Sequence, residues 1–333
     1  MTKRDPYFDV VKAFAMLLVV IGHTRWAYGC QAGNPLIDNF IVGINMPVFF
    51  MISGYFSANC VKDGNWGKLG RHLVGYFWPA AVVSCIFAAL AVLFKIDGCD
   101  KGLIGYAGRN FLFAQWYLWC LAICVITTFL GARIPKVPSF VIFVGIYCLL
   151  PFVTGVWHIE NVRAMLPHFL FGLFVLRKWS LWKNRVLGTI SLLAYLIIVF
   201  ASNSFRQNGL SFYDGATDWS DFLAEPFNIV LLLVRIVIGF VGSIGILWLI
   251  YEIVQNVQKI GCFLATLGKT TLGVYILHQW ILDRCVDYLP IGASFGATLS
   301  LAIVLFVICH GITLLLKRTR WLRLMVWGNL WEH

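Results

Sequence analysis

The chain of 333 residues is 60% hydrophobic, 16% aromatic and only 12% charged, where a soluble domain carries about 25% charged residues. So few charges leave a body of this size unable to face water, which excludes a disordered chain, a nucleic-acid-binding domain and a soluble enzyme with a membrane tail; the mean hydropathy of +0.82 agrees. The net charge of +11 then becomes a matter of topology, because basic residues sort to one side of a membrane.

A helix needs about 20 apolar residues to cross the hydrocarbon, and backbone in lipid must bond internally, so the apolar runs read as helices. In chain order they cover 7–27, 37–58, 71–94, 109–130, 137–156, 162–177, 186–203, 226–251, 263–282 and 291–316. The expected fold is all-α: a polytopic integral membrane protein of about ten transmembrane helices, one domain over residues 1–333. The first run reads as a span rather than a cleaved signal, since it is long enough to cross and no A-x-A-like site follows it. Gly, Asn, Asp, Pro and Lys punctuate the connections, and the longest, around 204–225, is polar and large enough for a lid. The ten cysteines show no CxxC and no metal-ligand spacing. Within apolar runs cysteine acts as a small hydrophobe, so neither disulfides nor a metal site are expected.

Summed over alternate connections, 18 of the 26 basic residues fall on the side of the two termini. That places both termini in the cytoplasm of a multi-pass protein of the inner or plasma membrane. Polar groups at membrane depth are costly and face a bundle interior or a wet cavity. His23, Asn45, Trp116, Tyr117, His168, Arg235 and His278 fall in the outer halves of six spans, whereas Lys12, Lys68, Arg71, His72 and Lys269 gather near the inner face. A passage with a basic inner mouth and a histidine-bearing outer chamber is expected.

Lys12 and His23 are separated by about 20° around a helix and roughly 16 Å along it, so they share one face, one at each end. The inner cation suits phosphates as a point charge, and an imidazole takes a proton from a hydroxyl near neutral pH. The same spacing is satisfied by a lysine snorkelling to headgroups and a histidine packed against a neighbouring helix.

The first span, FDVVKAFAMLLVVIGHT, the second, INMPVFFMISGYFS, the fourth, AQWYLWCL, and the ninth, LGKTTLGVYILHQWIL, resemble membrane-bound acyltransferase family 3, in its fucose 4-O-acetylase-like branch. Lys12 and His23 fit the family's basic residue followed at a fixed interval by His in a VxGH context. Met46, Pro47, Phe49, Phe50, Ser53, Gly54 and Tyr55 fit its MPxFFxxSGY pattern, and Trp116, Tyr117 and Leu118 fit W-F-L. Gly268, Thr271, Leu272, Gly273, Tyr275 and His278 match G-x-x-[ST]-L-G-x-Y-x-x-H, and Lys68 with Arg71 matches a basic pair opening the third span. The resemblance runs nearly the whole length with its motifs in order. Asn45 stands where branch members often have His, and no SGNH or racemase domain of the kind some relatives append is expected.

The resemblance implies transfer of an acyl group, usually acetyl, from cytoplasmic acetyl-CoA to a hydroxyl of an extracytoplasmic sugar or cell-surface glycan. It implies an acyl-CoA co-substrate, a glycan acceptor and membrane lipid as partners, with neither metal nor nucleic acid. In that frame Lys12, Lys68, Arg71 and Lys269 hold the coenzyme. His23 is a general base or a transient acyl carrier, with Asn45, Arg235 and His278 beside it as catalytic candidates. Trp116, Tyr117, His168, Glu160 and Tyr275 are the candidates for meeting the acceptor. No carboxylate is expected at membrane depth to orient His23, which leaves a hydroxyl, an amide such as Asn45, or Glu160 from a loop as its partner.

Plainer readings stay open. Arg235 also suits a structural pair with Glu225, His278 a packed helix end, and Trp116 with Tyr117 an interfacial aromatic belt. Ser53-Gly54 reads as a helix break or close-packing site, and Lys317, Arg318, Arg320 and Arg323 as contacts to anionic headgroups. A secondary transporter or glycolipid flippase needs similar spans, but the matched pairs of interrupted helices common in transporters are not visible.

Overall fold

The computed structural model describes residues 5–30, 35–95, 102–134, 141, 145, 159–207, 227–292 and 294–327, and these hold helices and short connections with no strand among them. Helix α1 (Pro6–Ala27) starts at Asp5, whose carboxylate accepts the Tyr7 amide at 3.0 Å, with Pro6 at the first helical position; both features favour a helix start. It is followed by α2 (Pro35–Asp63) and α3 (Trp66–Leu93), which carry Pro47 and Pro79 in their interiors. Next, α4 (Gly102–Arg109) widens into a π-helical turn (Asn110–Ala114), breaks at Gln115 and resumes as α5 (Trp116–Gly131), bent by 60°. A second π-helical turn (Gly172–Leu176) ends α6 (Ile159–Phe171). The rest are α7 (Arg185–Gln207), α8 (Phe227–Asn256), α9 (Gln258–Gly268), α10 (Thr271–Tyr288), α11 (Phe295–Arg318) and α12 (Arg320–Trp327).

Among the described residues, α1, α2, α3, α8 and α11 are long and apolar enough to cross a membrane, and the bent α4–α5 pair raises the number to six. The molecule is a multi-pass membrane protein. Of the expected span at 137–156 only residues 141 and 145 are described, and of the connection expected around 204–225 residues 204–207 belong to α7 while 208–225 fall outside the described residues. The apolar part of α7, Arg185–Ala201, is shorter than a full span. The expected ninth span is two helices, because the chain breaks between α9 and α10 at Lys269 and Thr270. The Thr270 hydroxyl donates to the Leu267 carbonyl at 2.8 Å and accepts from Nδ1 of His310 at 2.7 Å, which satisfies polar groups at the break.

Helix α1 is the centre of the bundle. It packs on α2, α9, α10 and α11, and Val11, Ala15, Met16, Val19 and Val20 are buried around its circumference. A helix apolar on all sides belongs in an interior. Helices α7 and α11 instead expose Ile190, Ile197, Phe200, Ile303, Val304 and Val307, an apolar surface suited to acyl chains.

Small residues set how closely these helices approach. Gly54 of α2 lies against the Phe169 carbonyl, and Gly172, at the end of α6, lies against the Met51 carbonyl, so each glycine admits the other helix's backbone. Where lipid gives no hydrophobic drive for helix association, such close packing supplies it. Gly268 lies in the same way against the Asp9 carbonyl, seating α9 on α1. Gly54→Ala is expected to destabilise the protein by about 1–3 kcal/mol, seen as a lowered unfolding temperature in detergent. Gly296→Ala, where nothing lies within 4 Å, is expected to leave that temperature unchanged or raise it.

Candidate active site

Two cavities, each of about 710 Å³, lie along α1. Lys12 lines the first and His23 the second, so the helix presents them on one face to different chambers, and Tyr275 of α10 lines both.

The lysine chamber collects Lys12, Arg71, His72 and Lys269, and no acidic residue is among its described lining. The Lys12 ammonium lies 2.7 Å from Asp9, which is 2% exposed, and 5.8 Å from the centre of the Phe56 ring. Lys12 thus lines the chamber while meeting Asp9. Thr271 and Leu272 place the first turn of α10 in the same wall, and a helix start carries positive partial charge. Met16, Val19, Phe49, Ile52 and Leu121 make the remaining walls apolar.

The histidine chamber is lined by His23, Asn45, Trp116 and His278, with Trp26, Tyr106, Arg109, Gln279, Asp283 and Arg284. Nδ1 of His23 lies 2.6 Å from Oε1 of Gln279, and the Gln279 Nε2–H donates to Asp283 at 2.9 Å. The His278 ring meets that of His23 edge to face, with centres 5.2 Å apart. Its Nδ1–H donates to the Tyr275 carbonyl at 2.8 Å and the Val274 carbonyl at 3.1 Å, whereas its buried Nε2 has no hydrogen-bond partner among the described residues. Asn45 accepts the Met46 amide at 2.7 Å.

Two tyrosines stand between the chambers. The break at Gln115 leaves the Tyr117 amide early in α5, where helical amides lack carbonyl partners, and it donates to the Tyr275 hydroxyl at 3.3 Å. The Tyr117 hydroxyl meets Ser53 at 3.2 Å, and the two tyrosine rings pack edge to face, 5.5 Å between centres.

A family model described as an acyltransferase domain, that of acyltransferase family 3, matches residues 5–318. The chain belongs to this family. It is a membrane acyltransferase. The chain is similar to the nodulation protein NolL of Sinorhizobium fredii (strain NBRC 101917 / NGR234), 24% identical over 222 residues that cover 63% of this chain and 59% of that protein. The chain thus spans well under two thirds of that relative's length. It is also similar to the inner membrane protein YcfT of Escherichia coli (strain K12), 22% identical over 315 residues that cover 85% of this chain and 81% of that protein. No solved structure matches the chain.

The acyltransferase brings most of its sequence-expected site residues to the two chambers, but not all. Lys68 is bonded to Asp63 and lines neither chamber. His168 joins α6 to α8: its ring nitrogens lie 3.0 Å from the Ala164 carbonyl and 3.2 Å from the Ile236 carbonyl, and its ring rests against Phe240. Both nitrogens face backbone carbonyls there, and the residue lines neither cavity. Arg235, half-buried on α8, also lines neither, and the side chain of Glu160 lies outside the described residues. Tyr117 lines the lysine chamber and Trp116 the histidine chamber, so neighbouring residues serve different cavities.

Sequence reading missed Gln279, Asp283 and Arg25. The spacing of Gln279 and Asp283, four residues apart beside His278, marks a side-chain pair on one helix face, but only the packing of α10 on α1 aims it at His23. Buried Arg25 holds Asp38, which lines the histidine chamber, with two bonds, 2.8 and 3.2 Å. Arg25→Ala strands that carboxylate and is expected to cost about 3–5 kcal/mol of stability. Replacing both partners, Arg25→Met with Asp38→Leu, is expected to restore most of it, measured as thermal unfolding in detergent.

Proposed function

We propose that this acyltransferase carries an acetyl group from cytoplasmic acetyl-CoA to a hydroxyl of an extracytoplasmic sugar or cell-surface glycan, as expected of the fucose 4-O-acetylase-like branch. The observation that carries the reading is the pairing of two chambers on one helix, a cationic one at Lys12 and one at His23, with Tyr275 common to both. In this reading the protein sits in the inner membrane with both termini in the cytoplasm. The concentration of basic residues on the side of the termini supports that orientation, as does the similarity to a protein named for the inner membrane.

The coenzyme's phosphates lie at Arg71, Lys269, Lys12 and the start of α10, where cations and a helix N-terminus favour anions. The pantetheine arm follows the apolar wall of α1, whose eleven-residue interval from Lys12 to His23 rises roughly 16 Å. Trp116 and Trp26 offer flat apolar faces to a sugar ring. His23 takes the proton of the acceptor hydroxyl as its oxygen attacks the thioester carbonyl. The tetrahedral intermediate collapses, the carbon–sulfur bond breaks, and the thiolate recovers that proton, leaving an ester and free coenzyme. Nε2 of His278, unpartnered among the described residues and buried beside His23, accepts a hydrogen bond from a second hydroxyl of the acceptor sugar, since the attacking one has a single proton to give. Two-step transfer through an acyl-imidazole at His23 uses the same geometry.

Purified protein in detergent, given acetyl-CoA, is expected to release free thiol slowly with water as the acceptor. His23→Ala is expected to lower that rate by about 10²–10⁴-fold, and release at the wild-type rate overturns the reading. Arg71→Ala and Lys269→Ala are expected to raise KM for acetyl-CoA about tenfold each while preserving kcat, as for loss of a charged contact made equally throughout the reaction. Lys12 is unsuited to this test because its removal also breaks the ion pair with the buried carboxylate of Asp9. Mass spectrometry of surface glycans with and without the gene identifies the acceptor as the species losing one acetyl group.

A further inference from the structure

We infer that Gln279 and Asp283 are positioning residues that determine which ring nitrogen of His23 carries the proton, an inference that rests on the proposed role of His23. A carboxylate only accepts hydrogen bonds. Asp283 therefore takes the NH₂ end of the Gln279 amide, at 2.9 Å, which turns Oε1 toward His23, 2.6 Å from Nδ1. An amide oxygen also only accepts, so in the neutral ring Nδ1 holds the hydrogen and Nε2 keeps its lone pair. That is the tautomer in which Nε2 serves as a base.

The neighbouring charges and rings leave this relay intact. Arg284 is bonded to Asp287 at 2.8 Å, and Nδ1 of His278 is committed to the Tyr275 and Val274 carbonyls. Asp38, in the same chamber, is held by Arg25. Without Asp283, nothing in the relay opposes rotation of the Gln279 amide. Rotation presents NH₂ to Nδ1, which then accepts, and the ring hydrogen moves to Nε2. Asp283 thus acts on His23 through the orientation of one amide, without touching it.

The test uses full-length protein in detergent, with acetyl-CoA as the probe and free thiol as the readout. Asp283→Leu, which leaves no acceptor for the Gln279 amide, is expected to lower kcat about 10- to 100-fold with KM for acetyl-CoA little changed. Gln279→Glu in the Asp283→Leu background is expected to restore kcat to within about threefold of wild type, because a carboxylate at position 279 offers His23 nothing but acceptors in either orientation. A purely structural Asp283 gives no such recovery.

Asp283→Leu at wild-type kcat, or a double variant no more active than the single one, overturns the inference. Should Asp283→Leu fail to fold, the double variant decides alone: near-wild-type kcat supports the relay, and a folded but inactive protein overturns it. Wild-type protein releasing no thiol, or His23→Ala releasing it at the wild-type rate, overturns the acetyl-transfer reading instead.

Discussion

Backbone at membrane depth has no water to bond, and this constraint governs two places where the described helices are interrupted. At Gln115 the helix stops and restarts, and the Tyr117 amide is satisfied by a side chain from another helix, the Tyr275 hydroxyl. At Lys269 and Thr270 the repair comes from the Thr270 hydroxyl and His310, with the Lys317 ammonium bonded to the Lys269 carbonyl at 2.9 Å. Non-helical backbone survives at such depth only where protein or a wet cavity receives it. Both breaks lie at the chamber walls, and each exposes a run of residues that an unbroken helix would spread around its circumference.

The central helix then needs only to be straight and closely packed. Because α1 is buried on all sides, Lys12 and His23 are held at a separation set by helical rise, and glycine contacts hold its neighbours in place. Gly268 seats α9 on α1 immediately before the chain turns into α10. The same junction brings the start of α10 to Lys12, while its later turns bring Tyr275, His278, Gln279 and Asp283 to the boundary and to His23. One broken helix therefore serves both chambers.

How much of this could be read from residues alone follows from which facts are local. The shared face of Lys12 and His23 is a property of one helix and was legible from their spacing, as was the close-packing character of Gly54. The break at Lys269 was not legible, since apolar residues on either side make 263–282 look continuous. Lys68 and Arg71 look alike, three residues apart, yet Asp63 takes the first and only the second reaches the chamber. His168 and His278 look alike too, each a histidine at membrane depth. They differ because the Ile236 carbonyl from another helix occupies the second nitrogen of His168, whereas that of His278 is unpartnered among the described residues. The role of a buried imidazole is set by what its second nitrogen meets, a long-range fact.

The separation of charge from base also has a chemical logic. Cations that grip phosphates, if placed beside His23, would oppose protonation of the imidazole that general-base catalysis requires. About 16 Å of helix between Lys12 and His23, walled by Phe49, Tyr117 and Tyr275, weakens that opposition by distance. The cations within the histidine chamber are offset in part by acids: Arg284 meets Asp287, and Asp38 is matched by Arg25. Asp283 is the exception. It meets His23 through the Gln279 amide, so this negative charge orients a neutral donor–acceptor pair and bears on the ring's tautomer without touching the ring.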